Sequence, residues 1–315
     1  MLSKKQLSLT LMFFGASIAL FAQQRPPIFD KTPRDIKPVS TLATFPKQTF
    51  LENLVLLPDG SMLVNSHLEG IVYKIKPSGE PQKFASVKGK LTGIAAYGKD
   101  KFVLTGNDEN DKSVLFLLTT GGQISKLMDL PEAQFVNGIT YLAVNDFLIA
   151  DSYKGCIWKI NAKTKVASIW LADAALERVS EQNPTPGVNG IKVFQQSVFI
   201  SNTQKQQIFK VNLTAERQAG KPELYASEVN VDDFTFDVNG NLYATTHVYN
   251  SIIKITPDKK ISVLAEQPQG SAGSTACVLK KTALGYTLFV STNGGMLLPP
   301  STGIEASKVL AISIQ

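Results

Sequence analysis

Val188-Asn189-Gly190-Ile191-Lys192-Val193-Phe194 decides the fold of this chain. A polar residue and a small residue, here Asn189 and Gly190, stand before a run that alternates apolar and polar side chains, which is the pattern of a half-buried strand. The same shape recurs at 51–56, 136–141 and 231–236, and in weaker form at 91–94 and 273–278. We predict from this recurrence that the chain contains six repeats whose leading polar residues meet at one point.

The spacing of the repeats indicates the architecture. Their leading polar residues are Glu52, Thr92, Asn137, Asn189, Asp232 and Ser274, at successive spacings of 40, 45, 52, 43 and 42 residues. Each repeat holds short apolar runs separated by turn signals such as Asp59-Gly60 and Asn239-Gly240, which are typical of β-hairpins. We therefore predict an all-β, six-bladed β-propeller. A β-sandwich or a two-domain all-β protein is the competing architecture, and the regular spacing disfavours both.

The first part of the chain is predicted to lie outside the propeller. Lys4 and Lys5 precede an apolar run at 7–21, and Ala22 ends a plausible cleavage site, so residues 1–22 are interpreted as a signal peptide. An uncleaved N-terminal anchor is the alternative. Residues 23–38, rich in proline, are expected to be an extended lead-in, and residues 39–315 the propeller. The expected location is therefore secreted or periplasmic.

The last repeat lacks an outer strand, so 39–45 is expected to complete it and close the ring. The one stretch with helical periodicity is 172–179. Cys156 and Cys277 fall in repeats three and six, and we expect two buried, unpaired thiols.

The charge pattern argues against two classes of partner. The formal net charge of +6 comes from 32 basic and 26 acidic residues, and the lysines are scattered along the repeats. Spaced lysines of this kind are typical of solvated outer faces, so no nucleic-acid partner is expected. No membrane association is expected after signal cleavage, because no later stretch is comparably apolar.

The leading polar residues offer oxygen donors. In a propeller, residues just before the innermost strands converge on the axis, and carboxylate and amide oxygens suit a hard cation such as Ca²⁺. The other interpretation is that Asn, Asp and Ser are common turn residues before strands. Glu52 favours a site, because Glu is a poor turn residue.

A second layer of polar residues follows the second strand of each repeat. His67 and His247, the two histidines of the chain, occupy equivalent positions there, and either could be a general acid or base. Asp151 could approach a metal or its bound water, or else form an Asx turn.

These residues resemble the SMP-30/gluconolactonase (regucalcin-like) family. The resemblance is carried by Glu52, Asn137-Gly138, Asn189-Gly190 and Asp232, with Leu57-Pro58-Asp59-Gly60 and 237–243 also typical. It implies a six-bladed propeller with one axial divalent cation, Ca²⁺ first and Zn²⁺ or Mg²⁺ as alternatives, and hydrolysis of a sugar lactone or other lactone.

By position, Glu52, Asn189 and Asp232 match the metal ligands of that family. Asp232 also matches its proposed general base, and Asn137 matches a polar position that faces the substrate or the metal. The chain departs from the family at Asp233, where Gly is common, and it has no evident arginine-rich sugar-binding region.

The functional expectation is an exported, metal-dependent hydrolase acting on a small-molecule lactone. Water would be activated by Asp232, His67 or His247, Asn137 and Asp151 would face the substrate, and the rim loops 172–188 and 296–300 would line its pocket. The alternative is a non-catalytic propeller that binds a small molecule or protein, with a structural cation. A strictosidine-synthase-like condensing enzyme would share the propeller.

Overall fold

The computed structural model describes residues 31–314, which form six four-stranded antiparallel sheets. The innermost strand of each sheet contacts the innermost strand of the next, and the last contacts the first, so the sheets form a ring of six blades. The predicted six-bladed all-β propeller is confirmed.

Within each blade the strands run in chain order from the axis outward. Blade one contains β2 Leu51–Leu56, β3 Met62–Ser66, β4 Ile71–Ile75 and β5 Pro81–Ser86. Blade two contains β6 Gly89–Tyr97, β7 Lys101–Asp108, β8 Ser113–Thr119 and β9 Ile124–Asp129. Blade three contains β10 Val136–Ala143, β11 Asp146–Asp151, β12 Cys156–Asn161 and β13 Val166–Ala172.

The second half of the ring follows the same plan. Blade four contains β14 Val188–Phe194, β15 Ser197–Asn202, β16 Gln207–Leu213 and β17 Ala219–Ser227. Blade five contains β18 Phe234–Phe236, β19 Leu242–Thr246, β20 Ser251–Ile255 and β21 Ile261–Ala265. Blade six contains β22 Ser274–Thr282, β23 Gly285–Thr292 and β24 Ala306–Ile314. Two short 3-10 turns, His247–Tyr249 and Gln267–Gln269, follow β19 and β21.

The start of the described chain closes the ring, as predicted. Strand β1, Val39–Lys47, pairs antiparallel with β24, with Val39 opposite Ile312 and Lys47 opposite Ala306. Just before it, the lead-in reaches the outer edge of blade five, where Asp35 N donates to Val263 O at 2.9 Å and Val263 N donates to Pro33 O at 2.8 Å. The lead-in therefore covers an edge that would otherwise be open to pairing with another chain. Residues 1–30, with the predicted signal peptide, lie outside the described residues.

Hydrophobic clusters bind each blade to its neighbour. One cluster joins Val103 and Leu115 of blade two to Phe147 and Trp158 of blade three, all nearly or fully buried. Burying one such side chain contributes roughly 1.5–3 kcal/mol. Both cysteines are buried and free, as expected, and burial raises the pKa of Cys156 to about 12.

The segment 172–179, the one stretch with helical periodicity in its sequence, is not helical. It ends β13 and continues as turns, with Leu176 buried beneath them. Its apolar periodicity reflects one buried leucine in a loop and not a helix face. Between residues 31 and 314, no helix is long and apolar enough to cross a membrane.

The glycines of the repeated stretch are required by close packing near the axis. A Cβ placed on Gly138 would lie 2.3 Å from Asn189 O, the carbonyl of the next blade. We expect Gly138→Ala to lower the free energy of unfolding by about 1–3 kcal/mol, because the backbone contact cannot relax as a side chain would. Gly121→Ala, where the nearest atom is 3.6 Å away on a side chain, is the matched control. Chemical denaturation of both variants tests this, and equal stabilities would contradict it.

Candidate axial site

In five blades a break in strand pairing puts one polar residue on the axis, and in blade five Asp232 lies just before β18 begins at Phe234. In blade one the pairing register shifts between Leu51 and Asn53, so Glu52 has no partner on β3. The registers of β6, β10, β14 and β22 shift at the corresponding place. In blade six the shift lies between Ser274 and Ala276, so Thr275 occupies the axial position that the sequence alignment gave to Ser274. The axial residues are Glu52, Thr92, Asn137, Asn189, Asp232 and Thr275.

Hydrogen bonds between blades fix the backbone of four of these axial residues, Thr92, Asn137, Asp232 and Thr275. A second-strand side chain of one blade donates to the axial carbonyl of the next: Asn65 Nδ2 to Thr92 O at 2.8 Å, Thr105 Oγ1 to Asn137 O at 2.6 Å, Ser201 Oγ to Asp232 O at 3.1 Å, and Thr245 Oγ1 to Thr275 O at 2.8 Å. Because the main chain is held from the neighbouring blade, the axial side chains are preorganised.

Asp232 lies at the centre of a buried hydrogen-bonded chain. Asn189 Nδ2 donates to its Oδ1, and His247 Nδ1 lies 2.9 Å from its Oδ2. On the far side of the imidazole, Nε2 lies 2.6 Å from Asn293 Nδ2. All four side chains are at least nine-tenths buried. The structure thus joins three sequence-predicted residues, Asn189, Asp232 and His247, in one network.

The orientation of Asn293 fixes the protonation of His247. Asn293 Oδ1 accepts from Gly295 N at 3.0 Å and from Met296 N at 3.2 Å, so its Nδ2 must point at the imidazole. An amide N–H needs an acceptor, so His247 Nε2 carries a lone pair and the ring proton is on Nδ1, facing Asp232. Both nitrogens of His247 are therefore occupied, and this residue orients Asp232.

Glu52 is an acidic group with no partner of its own. It is half-buried, and within residues 31–314 no hydrogen-bond donor contacts its carboxylate. Burial, followed by the negative charges of Asp232 and Asp233, raises the pKa of Glu52 well above 4.5. A buried carboxylate beside others is a costly arrangement that a bound cation would relieve.

Asp233, the departure from the family pattern, forms a buried ion pair. Its Oδ1 contacts Lys192 Nζ, and the Asp233 side chain is 7% exposed. Asp233 is thus buried and already paired with a lysine of its own protein. Lys192 neutralises the charge of the Asp233 carboxylate, whereas no cation of the described residues pairs with Glu52.

His67 lies on the same rim as His247 but has a different environment. Its Nδ1 lies 2.9 Å from Leu91 O, so the ring proton is on Nδ1 and Nε2 carries the lone pair. No donor of residues 31–314 contacts that Nε2. Burial is the main cause that lowers the pKa of His67 below 6.5. His67 is therefore neutral at pH 7 and has the nitrogen lone pair that a general base requires.

An aromatic wall extends from the axis along this rim. The ring of Phe50 lies between the two imidazoles, 5.4 Å from His67 and 5.6 Å from His247 between centroids. His67 in turn lies 6.4 Å from Phe135, which stacks on Tyr153 at 5.0 Å. We call Phe50, His67, Phe135 and Tyr153 the aromatic wall.

Asp151 lies beneath this wall and supports it. We expected Asp151 to face the substrate, but its carboxylate points into its own blade. It is fully buried, and its carboxylate accepts from Gln134 N, Phe135 N, Lys154 N and Trp158 Nε1. Four donors from its own blade satisfy it, so it holds Phe135 in place. Asn137, the other predicted substrate-facing residue, is on the axis, and its Nδ2 donates to Ser152 Oγ at 3.3 Å.

The donor set at the axis fits a hard divalent cation. In the described part of the chain, no three His, Cys, Asp or Glu side chains form a metal-binding group. Amide oxygens complete the set, because Asn189 Nδ2 is engaged by Asp232 and by Thr203 Oγ1, so that Oδ1 is left for a cation. With Glu52 and Asp232 this makes two carboxylates and an amide oxygen, which favours Ca²⁺ or Mg²⁺ over Zn²⁺.

A cavity of about 480 Å³ lies at the opposite rim, between blades four and five. Aromatic rings such as Phe194 and Tyr225 line it together with Lys210, Lys259 and Glu223. Its lining has no histidine and no paired carboxylates, so the axial cluster is the better candidate for chemistry.

Comparisons with known proteins agree with the architecture. No known family profile matches the chain. Regucalcin from Agrobacterium tumefaciens, a calcium-binding protein, superposes with a TM-score of 0.70 at 14% identity, covering 90% of this chain and 96% of that one. The chain has the propeller fold of regucalcin. A gluconolactonase from Xanthomonas campestris superposes on the same regucalcin-like propeller with a TM-score of 0.66 at 13% identity, covering 90% and 97% of the two chains.

In sequence, the chain is similar to a protein of Phoma sp named as a candidate hetero-Diels-Alderase. The two are 25% identical over 319 aligned positions, which cover 84% of this chain and 89% of that protein.

Sequence reasoning missed two residues of the site, Phe50 and Phe135. Each stands two positions before an axial residue, Glu52 and Asn137 respectively. An aromatic residue at the same offset in two repeats is a signal that could have identified the wall.

Proposed function

We propose that this protein is an exported, metal-dependent hydrolase that opens a lactone. The observation that carries the proposal is the unpartnered Glu52 carboxylate beside Asp232 and the Asn189 amide at the axis. Similarity in fold to a gluconolactonase and to a calcium-binding regucalcin supports it. The predicted signal sequence at 1–22 supports export.

Glu52, Asn189 and Asp232 would hold the cation, with Ca²⁺ preferred. When bound, a divalent cation supplies a Lewis acid that polarises the lactone carbonyl and stabilises the oxyanion. His247 holds the Asp232 carboxylate in one orientation through Nδ1–H, and Asn293 holds His247. Asn137 faces the substrate from the neighbouring axial position. This second layer of hydrogen bonds keeps the ligands in place before substrate arrives.

His67 moves the proton. Its Nε2 takes a proton from water as the water oxygen bonds to the carbonyl carbon. The ring C–O bond then breaks, and the departing alkoxide recovers the proton from His67. The sum is one lactone and one water giving one hydroxy acid. Asp232 and His247 are less suited to this step, because the hydrogen bonds described above already engage their polar atoms.

A lactone panel tests the proposal. Purified protein is assayed with five- and six-membered lactones, both sugar and apolar, in EDTA and after addition of Ca²⁺, Mg²⁺ or Zn²⁺. We expect hydrolysis that EDTA abolishes and one added cation restores. Binding of a cation without turnover of any lactone would favour the non-catalytic propeller, with a structural cation and a ligand-binding rim.

The pH dependence of kcat/KM should show the protonation of His67. Because burial lowers the pKa of His67 below 6.5, the base form predominates at neutral pH and is lost as the pH falls through that lower pKa. We expect log(kcat/KM) to be level around pH 7 and to fall with unit slope on the acid side. His67→Gln should lower kcat by about 10²–10⁴-fold and remove this limb. An unchanged acid limb in His67→Gln would assign it to another group.

A second candidate function is a hetero-Diels–Alder cycloaddition. Similarity to the Phoma sp protein favours it, and so does the aromatic wall, against which an unsaturated substrate could stack. A heterodiene and an alkene incubated with the protein would then give a product whose mass is the sum of both. An excess of one stereoisomer over the uncatalysed mixture would distinguish catalysis from background.

A further inference from the structure

The loop between blades three and four is unusually well fixed for its length. It fills residues 173–187 between β13 and β14 and contains no helix or strand. We call it the 173–187 loop. It lies on the same rim as the aromatic wall, because it ends where the inner strand of blade four begins. Long loops on this rim are candidates for binding.

Three side chains of blade four clamp the main chain of this loop. Asn202 Nδ2 donates to the carbonyls of residues 175, 176 and 177. Gln204 Oε1 accepts from the N–H groups of residues 179 and 180, and its Nε2 donates to the carbonyls of residues 180, 183 and 185. Lys205 Nζ donates to Ala174 O at 2.6 Å. The clamp spans the loop on both sides of Arg178.

Arg178 is held in this clamped loop without a polar partner. Its guanidinium carbon lies 4.3 Å from the centroid of the Tyr153 ring, over one face of it. Within residues 31–314 it makes no hydrogen bond or ion pair, and its Nε is buried and unsatisfied. An unpaired buried donor costs roughly 1–3 kcal/mol, more for a charged group. Burial of this kind is expected where a ligand supplies the missing acceptor.

The charge at the two ends of the wall is opposite. Arg178 adjoins Tyr153 at the outer end, while Asp232 and Glu52 adjoin His247 and Phe50 at the axial end. An anion is repelled by the axial carboxylates and attracted to Arg178, and the rings between them favour a flat apolar body. A ligand with an anionic group on a flat apolar body would therefore lie along the wall in one orientation, with the anion at Arg178.

We propose that Arg178 is an anion subsite that selects a substrate with a carboxylate attached to an aromatic or other flat apolar body. A guanidinium recognises a carboxylate through two parallel N–H···O bonds, which would satisfy the buried Nε. This subsite proposal rests on the proposed function. Together they give the substrate class as an amphiphilic, carboxylate-bearing lactone and not a neutral sugar lactone. Tyr153 and Phe135 contact the apolar body, and Gln204 positions Arg178.

Binding of a simple probe tests the subsite without any need for turnover. The probe is 2-naphthoate, with neutral 2-naphthol as its uncharged counterpart, each titrated by calorimetry into the full protein at pH 7. We expect 2-naphthoate to bind and Arg178→Gln to weaken it at least about tenfold, a change of about 1.4 kcal/mol. Binding of 2-naphthol should change less than about twofold, because the wall is intact.

Three further variants separate recognition from loss of charge or of structure. Arg34→Gln removes one positive charge at the lead-in, where Arg34 pairs with Glu266, and should leave both affinities unchanged. Arg178→Lys keeps the charge but not the fork, and should recover part of the loss. Gln204→Ala keeps Arg178 but releases its loop, and should weaken 2-naphthoate alone. Circular dichroism checks that each variant is folded.

Two results would overturn the subsite: no binding of 2-naphthoate by the unaltered protein at millimolar concentration, or equal binding by Arg178→Gln. Both are independent of the proposed reaction, which is measured separately on lactones with and without a carboxylate. If lactones are hydrolysed but 2-naphthoate binds equally well to Arg178→Gln, the subsite alone is refuted. Arg178-dependent binding with no lactone turned over would refute the reaction alone.

Discussion

Asp232→Asn is expected to lower kcat/KM for lactone hydrolysis at least about a hundredfold, the scale of a lost electrostatic contact to the transition state. The substitution keeps the size of the side chain but removes its charge. Its effect is large because Asp232 contacts Asn189 and His247 and adjoins Glu52. The asparagine side chain has only one oxygen, so its NH2 group would face either His247 Nδ1–H or Asn189 Nδ2, and a donor would then meet a donor.

Stopped or continuous lactone assays at saturating Ca²⁺ measure this loss. Asp258→Asn, in an exposed hairpin turn of the same blade, is the matched control and should retain full activity. A variant as active as the unaltered protein would exclude Asp232 from both metal binding and catalysis. Loss of activity with retained Ca²⁺ binding would restrict Asp232 to a role in the reaction.

Glu52→Gln should stabilise the metal-free protein and remove its response to Ca²⁺. The pKa of Glu52 is raised in the folded state, so its ionised form favours the unfolded chain. At neutral pH, a neutral glutamine removes this destabilisation. We expect the melting temperature in EDTA to rise by about 2–4 °C, the shift that about 1 kcal/mol produces in a domain of roughly this size.

The sign of the pH effect can be checked in the same experiment. In EDTA the unaltered protein should lose stability as the pH rises through the raised pKa of Glu52, whereas Glu52→Gln should not show this component. Added Ca²⁺ should raise the melting temperature of the unaltered protein by mass action and leave Glu52→Gln unmoved. Glu109→Gln, on an exposed turn, serves as control. A Glu52→Gln variant that still responds to Ca²⁺ would contradict the assignment of Glu52 as a ligand.

The fold was predictable because each repeat carries the same short pattern, a polar residue before an alternating apolar run, at a regular spacing. The pattern before Ile191 recurs at each inner strand, and Gly138 and Gly190 mark where neighbouring blades touch. The register in blade six was not predictable, because Ser274 and Thr275 are adjacent and chemically alike. Only the pairing of β22 with β23 shows which of them is axial.

The polar residues around the axis were predictable from the repeat, but their hydrogen bonds were not. Glu52, Asn189 and Asp232 follow from position alone. The partners of the two histidines depend on residues far away in sequence: Asn293 fixes His247, and Leu91 fixes His67. Asp151 and Arg178 show the same limit. Whether a carboxylate is satisfied or a guanidinium is left without a partner depends on contacts that no spacing of residues reveals.

The closing pair of strands has a mechanical consequence. Because β1 and β24 are antiparallel, the beginning of β1 at Val39 lies beside the end of β24 at Ile312, so both chain ends leave the pair on the same side. Tension applied between the ends therefore opens this pair one hydrogen bond after another, as a zipper, and does not shear all bonds together. Under load the lead-in should first detach from β21, and the propeller should then open at the seam of blade six, with the inner strands of the other five blades still paired.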